Sequence, residues 1–518
     1  MTQGRILNRR QLLRTSVLGG LGAGFPIGAA TSAVPVTAGP ALLRADRPVL
    51  THGVQSGDVG EHSGLVWARA DRPSRLLVEV STRPDLNNAD RIAGPVLTAG
   101  TDFTAKVRVA GNGRTVYYRV RVEDLDGRSV SEPVTGSFRL PPTRGEGVRF
   151  VWSGDIAGQG WGINPDDGGM RIFATMRERN PDFFLCSGDT VYADGPLRET
   201  VTLADGRIWR NIATREKSKV AETLAEFRGQ YAYNLLDEHL RAFAAAVPQV
   251  NQWDDHELLN NWYPGEVLTD DRYTERRADV LATRAFQAFH EWVPLDPRRA
   301  VDGRVYRRLP YGPHVEIFVI DMRSYRDANN ANTAPYERIL GDRQAQWLVH
   351  SLTTSRATWK IVASDLPIGL LVPDGTAWEA VANGVGGPPS GREAEIAWVL
   401  QALHRHSVRN VVWLTADVHY TAAHRYSPAS AGFTEFTEFW EFVSGPLHAG
   451  GFTSHRLDAT FGPVVEFVHA PLKPNASPLE GFQHFGEVEV APGGETMRVS
   501  LRDRAGAELW STTLETDR

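Results

Sequence analysis

The chain has 518 residues, is 42% hydrophobic and 23% charged, and carries a formal net charge of -6. That length exceeds what one hydrophobic core supports, so at least two domains are expected, and the composition excludes a mainly disordered chain. The acidic balance argues against nucleic acid as the main partner, and a single cysteine, Cys186, excludes an intrachain disulfide.

Residues 1 to 14 hold Arg5, Arg9, Arg10 and Arg14 and no acid, and the segment NRRQLLR, Asn8 to Arg14, precedes a mildly apolar, glycine-rich stretch from Val17 to Ala30. With small residues near Ala33 or Ala38 for cleavage, this is the layout of a twin-arginine export signal. Residues 1–40 are therefore expected to be a signal peptide and linker that engage the twin-arginine export machinery, placing the mature protein outside the cytoplasm, periplasmic or extracellular. Gly19, Gly20, Gly22, Gly24 and Pro26 interrupt the apolar stretch, and no other is long enough, so no stable membrane span is expected.

Over residues 41–143 short alternating runs follow one another: GLVWARA, RLLVEVST, AKVRVAG, RTVYYRVRVED and SVSEPVTGSFRL. Turn residues such as Gly111-Asn112-Gly113 and Asp126-Gly127 separate them, which predicts a small all-β sandwich of the fibronectin or immunoglobulin kind. Leu140 to Gly147 reads as a linker. Over residues 148–518 apolar runs alternate with helical patterns at Gly168–Arg179, Ala221–Phe243 and Arg276–Trp292, predicting a mixed α/β domain, and Gly486 to Thr513 returns to strand alternation.

Within the second domain the apolar runs end in acid. Val148–Trp152 leads to Asp155; Phe183–Cys186 leads to Asp189, with Tyr192 and Asp194 close behind; Pro248–Trp253 leads to Asp254, Asp255 and His256. Further on, Val315–Ile320 leads to Asp321, Lys360–Ser364 to Asp365, and Val411–Ala416 to Asp417 and His419. A turn or a helix cap explains any one of these aspartates. Six together are different, because open α/β sheets gather the carboxyl ends of their strands in one crevice, where clustered carboxylates repel unless a cation joins them. Asp417 and His419 stand two apart in an extended segment and so share a face. Carboxylate, phenol and imidazole are donors suited to hard and borderline cations.

The motifs GDTVYAD, WDDHE and ADVHY, preceded by GVQSGD and VWAR in the β-rich segment, resemble the PhoD-type alkaline phosphatases of the calcineurin-like metallophosphoesterase superfamily, from Thr51 to the end of the chain. The resemblance implies a four-layer α/β/β/α sandwich and a secreted enzyme that hydrolyses phosphate mono- or diesters by attack of a hydroxide generated on its metal, with ferric iron and calcium as cofactors. Carried over by position, Asp189 is the bridging aspartate, Tyr192 the ligand to ferric iron, and Asp417 and His419 the closing ligands. Asp255 takes the place of a metal-binding amide and His256 that of the catalytic histidine; Asp254 can exchange with Asp255, and either His256 or Asp254 is expected to protonate the leaving group. Asn211 resembles a calcium ligand.

One departure concerns the iron. Where the best-known PhoD pattern has a cysteine ligand, this chain has Trp152-Ser153-Gly154-Asp155, and Asp155 resembles the first aspartate of the wider superfamily. That leaves an oxygen and nitrogen donor set open to manganese or zinc as well. Cys186, inside an apolar run, reads as core. Asp321 with Arg323 and Arg326 reads equally as an orienting or phosphate-binding group and as a buried ion pair, and Asp365 is a further candidate ligand. The substrates expected are small phosphate esters. Two other readings stay open: a phospholipid or nucleotide phosphodiesterase of the same fold, and a secreted calcium-dependent binding protein without catalysis.

Overall fold

The computed structural model describes residues 47–143 and 145–517, so the export-signal reading of residues 1–40 lies outside the described residues. Strands β1 (Leu50–Gly60), β2 (Ser63–Ala70), β3 (Ser74–Ser81), β4 (Asp90–Leu97), β5 (Thr104–Ala110), β6 (Thr115–Asp124) and β7 (Val134–Arg139) come first. Next are β8 (Val148–Ser153), α1 (Ile172–Glu178), β9 (Phe183–Ser187), β10 (Thr200–Thr202), β11 (Ile208–Arg210), α2 (Leu224–Asn234), α3 (Glu238–Ala246), β12 (Gln249–Gln252) and α4 (Ala278–Trp292). Then come β13 (Arg307–Tyr311), β14 (Val315–Val319), α5 (Asp342–Thr354), β15 (Trp359–Ala363), β16 (Pro373–Asp374), β17 (Ala377–Trp378), α6 (Glu393–Arg405) and β18 (Val411–Thr415). The chain closes with β19 (Thr421–Tyr426), β20 (Phe439–Val443), β21 (Pro463–His469), β22 (His484–Val490), β23 (Thr496–Asp503) and β24 (Glu508–Glu515).

A nine-stranded sheet runs β24-β23-β22-β8-β9-β12-β1-β2-β5, and a seven-stranded sheet runs β13-β14-β15-β18-β20-β19-β21. Their centres are parallel: β8, β9 and β12 in the first, β14, β15, β18 and β20 in the second. Such strands are buried on both faces, which is why they read as unbroken apolar runs. The period of two then sorts their side chains. From β9, Phe183 and Leu185 enter the core between the two sheets, alongside Ile317, Ile361 and Leu414 of the second sheet. Phe184 and Cys186 face the other way, onto Phe173 of α1, Phe243 of α3 and Phe289 of α4. Phe318, Val362 and Trp413 likewise face α5 and α6, through Leu348, Leu352 and Ile396. Helices thus cover the outer face of each sheet, and a shared core joins the inner faces.

The expected helix over Ala221–Phe243 is two helices. Thr223 opens α2 in a capping box with Glu226. The chain then turns at Leu235 to Asp237, where the Asp237 carboxylate accepts from the backbone of His239 and Leu240 at 2.9 Å and starts α3. The expected β-sandwich over 41–143 also differs in its connections. Its β4-β3-β6-β7 strands form their own sheet, but β1, β2 and β5 extend the nine-stranded sheet through a parallel pairing of β1 with β12. Arg307 of β13 donates to Asp58 of β1 at 2.8 and 3.0 Å with both side chains fully buried, so the two expected domains share one interior. Among the described residues no helix is long and apolar enough to cross a membrane.

Candidate metal centre

The parallel strands of the two sheets end side by side. Gln252, at the end of β12, donates across to the carbonyls of Ile320 at 2.7 Å and Ala363 at 3.1 Å, beyond β14 and at the end of β15. Ser153, at the end of β8, donates to the carbonyl of Ser444 beyond β20 at 3.1 Å. These tethers bring the acids that follow each strand into one crevice, as the carboxyl-end rule anticipates.

Sharp backbone turns aim the side chains. Asp155, Asp189, Asp417 and His419 all adopt left-handed conformations, with φ of 59°, 48°, 67° and 60°. Non-glycine residues adopt these at a cost, and they cluster where a site requires it. Gly188, at φ 96°, allows β9 to pass beside β12: a Cβ there would lie 2.4 Å from the Cβ of Asp254. Glu257 staples the same two tips, accepting from the backbone of Thr190 and of Asp254 at 2.7 Å each.

Three overlapping groups result: Asp155 with Asp189 and His419; Asp189 with Asp255 and His256; Asp254 with Asp255 and Asp417. In each, one ligand atom per residue lies within 4.8 Å of the others. Asp189 and Asp255 each belong to two groups, so the cluster is continuous. The Tyr192 hydroxyl lies 2.8 Å from Nε2 of His419, whose Nδ1 donates to the Gly450 carbonyl at 2.5 Å and so leaves Nε2 with a lone pair toward the acids. His256 Nδ1 lies 2.7 Å from Asp194, and the other oxygen of Asp194 accepts from the backbone of Asn260 at 3.0 Å.

The electrostatics are those of an anion cluster short of positive charge. Burial, reinforced by neighbouring carboxylates, raises Asp155, Asp189 and Asp417 well above the ordinary carboxylate range. Burial raises Asp254 to about 7 against the pull of Arg323. For Asp255 burial acts upward too, but His256 and Arg323 outweigh it and the carboxyl is lowered. Burial acts to lower His256, yet Asp194 and Asp255 hold it protonated up to about 10. Burial lowers His419 to about 4, which keeps it neutral.

Both oxygens of Asp155, Oδ2 of Asp254 and Oδ1 of Asp255 are buried and accept no hydrogen bond. Left so, each costs about 1–3 kcal/mol, and such charged oxygens in apolar surroundings are retained where cations meet them. Carboxylates with a phenol and neutral imidazole form a donor set that suits iron, calcium, manganese or zinc. Arg323 is the one guanidinium inside the cluster among the described residues. Fully buried, it donates to Asp254 at 2.5 Å, to Asp417 at 3.1 Å and to Glu379, and lies 3.6 Å from Asp365.

The other expected residues have different duties. Asn211 does not face the cluster: its carbonyl accepts from Gly162 and Trp209 at 2.8 Å, and its amide donates to Gly160 and Arg198 at 3.0 and 2.7 Å. Both polar atoms of its side chain are spent on tethering the Gly160–Gly162 loop to Arg198 and Trp209, which leaves no side-chain lone pair turned to an ion. Asp321 accepts from the backbone of Arg323 and Ser324 at 3.1 and 2.9 Å, the turn reading of a strand-tip aspartate. Asp365 pairs with Arg323 and accepts from Gln252 at 3.2 Å. Cys186 is buried and burial pushes its thiol up to about 12, as a core residue requires. Sequence reasoning passed over the roles of Asp194, Glu257 and Glu379, whose partners His256, Thr190 and Arg323 lie tens of residues away.

The family model described as PhoD-like phosphatase matches residues 150–501, and the one described as the N-terminal domain of PhoD-like phosphatase matches residues 37–142. Alkaline phosphatase D of Bacillus subtilis (strain 168) is 27% identical over 449 residues, which cover 80% of this chain and 72% of that protein. The solved structure of PhoD matches with a TM-score of 0.67 at 20% identity, covering 90% of this chain and 88% of that one. With the acid and imidazole cluster at the strand tips, a family model that spans most of the chain makes the conclusion plain: the chain belongs to the PhoD-like phosphatase family and is a phosphoric ester hydrolase.

Proposed function

We propose that this phosphatase hydrolyses small phosphate mono- and diesters at a centre of two or more cations held by Asp155, Asp189, Tyr192, Asp255, Asp417 and His419. The observation that carries this reading is the set of buried carboxylate oxygens without donors at Asp155, Asp254 and Asp255. In it, the two sheets with their outer helices are the four-layer α/β/β/α sandwich of the metallophosphoesterases. When bound, the cations supply Lewis acidity, lowering the pKa of water and offsetting charge on phosphoryl oxygens. Asp189 and Asp255, each in two ligand groups, would help to hold more than one cation.

His256 is the proton donor in this reading. Asp194 fixes its Nδ1 and leaves Nε2 to face the cluster, so a protonated ring stands ready to neutralise a phosphoryl oxygen or a departing alkoxide. Asp254, bound to Arg323, is better placed to orient the cluster than to give up a proton. Family membership sets aside the calcium-dependent binding protein without catalysis. Export through the twin-arginine route is part of the proposal, resting on the arginines of residues 5 to 14.

Asp189→Asn tests the centre. Turnover of a chromogenic phosphodiester is expected to fall by about a thousandfold or more and bound metal, measured on the purified protein, to fall with it. Full turnover by that variant would refute the assignment. A panel of mono- and diesters, lipid and nucleotide esters included, ranks the substrate classes.

A further inference from the structure

The loop that leaves β8 carries Asp155 and runs on to the Tyr192 ring. Ile156 donates its amide to the Asp189 carbonyl at 2.9 Å, and Trp161 donates to the Gly158 carbonyl at 2.9 Å, which closes a turn. At Gly158 the bare backbone lies against the ring: a Cβ there would stand 2.1 to 2.4 Å from Cγ, Cδ2 and Cδ1 of Tyr192. Those atoms sit next to the Tyr192 backbone and cannot swing aside as the end of a flexible side chain does. Gly158 has no positive φ, so its backbone does not call for glycine, and the ring is what a side chain would meet.

Tyr192 also meets His256, with ring centres 4.3 Å apart and planes 33° from parallel. Groups this close exclude one another from a single face, so the phenol stands in a slot with glycine backbone on one face and imidazole on the other. Its hydroxyl lies 2.8 Å from Nε2 of His419, and Asp194 lies 2.7 Å from Nδ1 of His256. The loop side of the slot is braced. Asn211, just beyond β11, accepts from the Gly162 amide at 2.8 Å and donates to the Gly160 carbonyl at 3.0 Å. Asn475 accepts from the Trp161 indole at 2.7 Å and donates to the Gln159 carbonyl at 3.0 Å, and the Tyr233 hydroxyl accepts from the Ile163 amide at 2.8 Å. Residues 159–163 are thus each bound by a side chain from another segment, while Gly158 is left to touch the ring. Supports of this kind hold a functional side chain in one geometry.

We propose that Gly158 is a positioning residue of this phosphatase: its bare backbone, braced through Asn211 and Asn475, sets where the Tyr192 ring stands, and the ring in turn sets the reach of His256. The inference rests on the reading of Tyr192 and His256 as parts of the hydrolytic centre. Displacing by about 1 Å the groups that hold a cation and donate a proton costs about a hundredfold in rate.

The test is a double-mutant cycle on the metal-loaded enzyme. Gly158→Ala, Tyr192→Ala and the two together are compared for kcat and KM on a chromogenic phosphodiester and for bound metal. Asn211→Ala, which removes a brace and adds no group, is measured in the same two backgrounds and keeps the test valid if Gly158→Ala does not fold. With Tyr192 present, Gly158→Ala is expected to lower kcat by about a hundredfold and Asn211→Ala by about tenfold, with KM changed by less than about twofold. In the Tyr192→Ala background the ring is gone and a methyl at Gly158 has room, so neither substitution is expected to lower kcat further. Equal losses of kcat in both backgrounds, with Tyr192→Ala itself impaired, would overturn the proposal and leave the hydrolytic centre standing. Wild-type kcat and metal content in Tyr192→Ala alone would instead remove Tyr192 from the centre, and this inference with it.

Discussion

Arg323 is the residue on which the cluster turns. One guanidinium meets Asp254, Asp417, Glu379 and Asp365, which come from the ends of β12, β18 and β15 and the segment after β17. Removing one partner from a buried charge network leaves the others uncompensated, at about 3–5 kcal/mol. Arg323→Met is therefore expected to lower unfolding stability by that order in chelated protein, with part recovered on adding metal; unchanged denaturation midpoints in both states would rule out this role. The strand-tip aspartates were legible because each follows an apolar run within one to three residues. Arg323 was only half legible, since its partners at 254, 365, 379 and 417 are brought to it by the meeting of two sheets. Asp194 illustrates the same point: it stands five residues from Asp189 in the chain, yet its partner is His256.

At the scale of elements, the crevice depends on close passage of β9 and β12. Gly188 permits it by its φ of 96° and by the missing side chain opposite Asp254. Gly188→Ala is expected to strain the turn and push the β12 tip away, costing about 1–3 kcal/mol and lowering metal occupancy alongside activity. A variant with wild-type stability and metal content would show that the tips tolerate separation. Strands such as β9 and β18 announced themselves by apolar runs, while β1 and β4 did not. In β4 the Gly94-Pro95 pair breaks the alternation, and in β1 consecutive buried residues hide the period of two. The break between α2 and α3 rests on Asp237 accepting local amides, a competition that helical periodicity does not register.

For the whole molecule the seam between the sheets makes stability depend on pH through a buried histidine. His484 opens β22 in the first sheet, and its Nδ1 lies 2.9 Å from the Gly445 carbonyl beyond β20 of the second. Its Nε2 lies 2.8 Å from Nδ1 of His469. Burial lowers His484 to about 3, so between that value and the ordinary 6.5 the unfolded chain binds a proton that the folded chain does not. Stability therefore declines as pH falls from about 6.5 toward 3, by up to about 1.4 kcal/mol per pH unit from this one group. Denaturation of wild type and His484→Gln at pH near 7 and near 4 is expected to show a shallower acid loss in the variant; equal losses would remove His484 from the account.

The chain's own order of residues determined the parallel, doubly buried strands, the acids at their ends and the family to which those motifs point, because hydrophobic period and turn chemistry are local properties. Tertiary structure alone decided that β1, β2 and β5 join the catalytic sheet, that Asn211 spends its bonds on a loop, and that Arg323 and Asp194 complete the cluster. Those outcomes depend on which distant groups share a low-dielectric interior, where an ion must find its partner in space and its place in the sequence carries no mark of that partner.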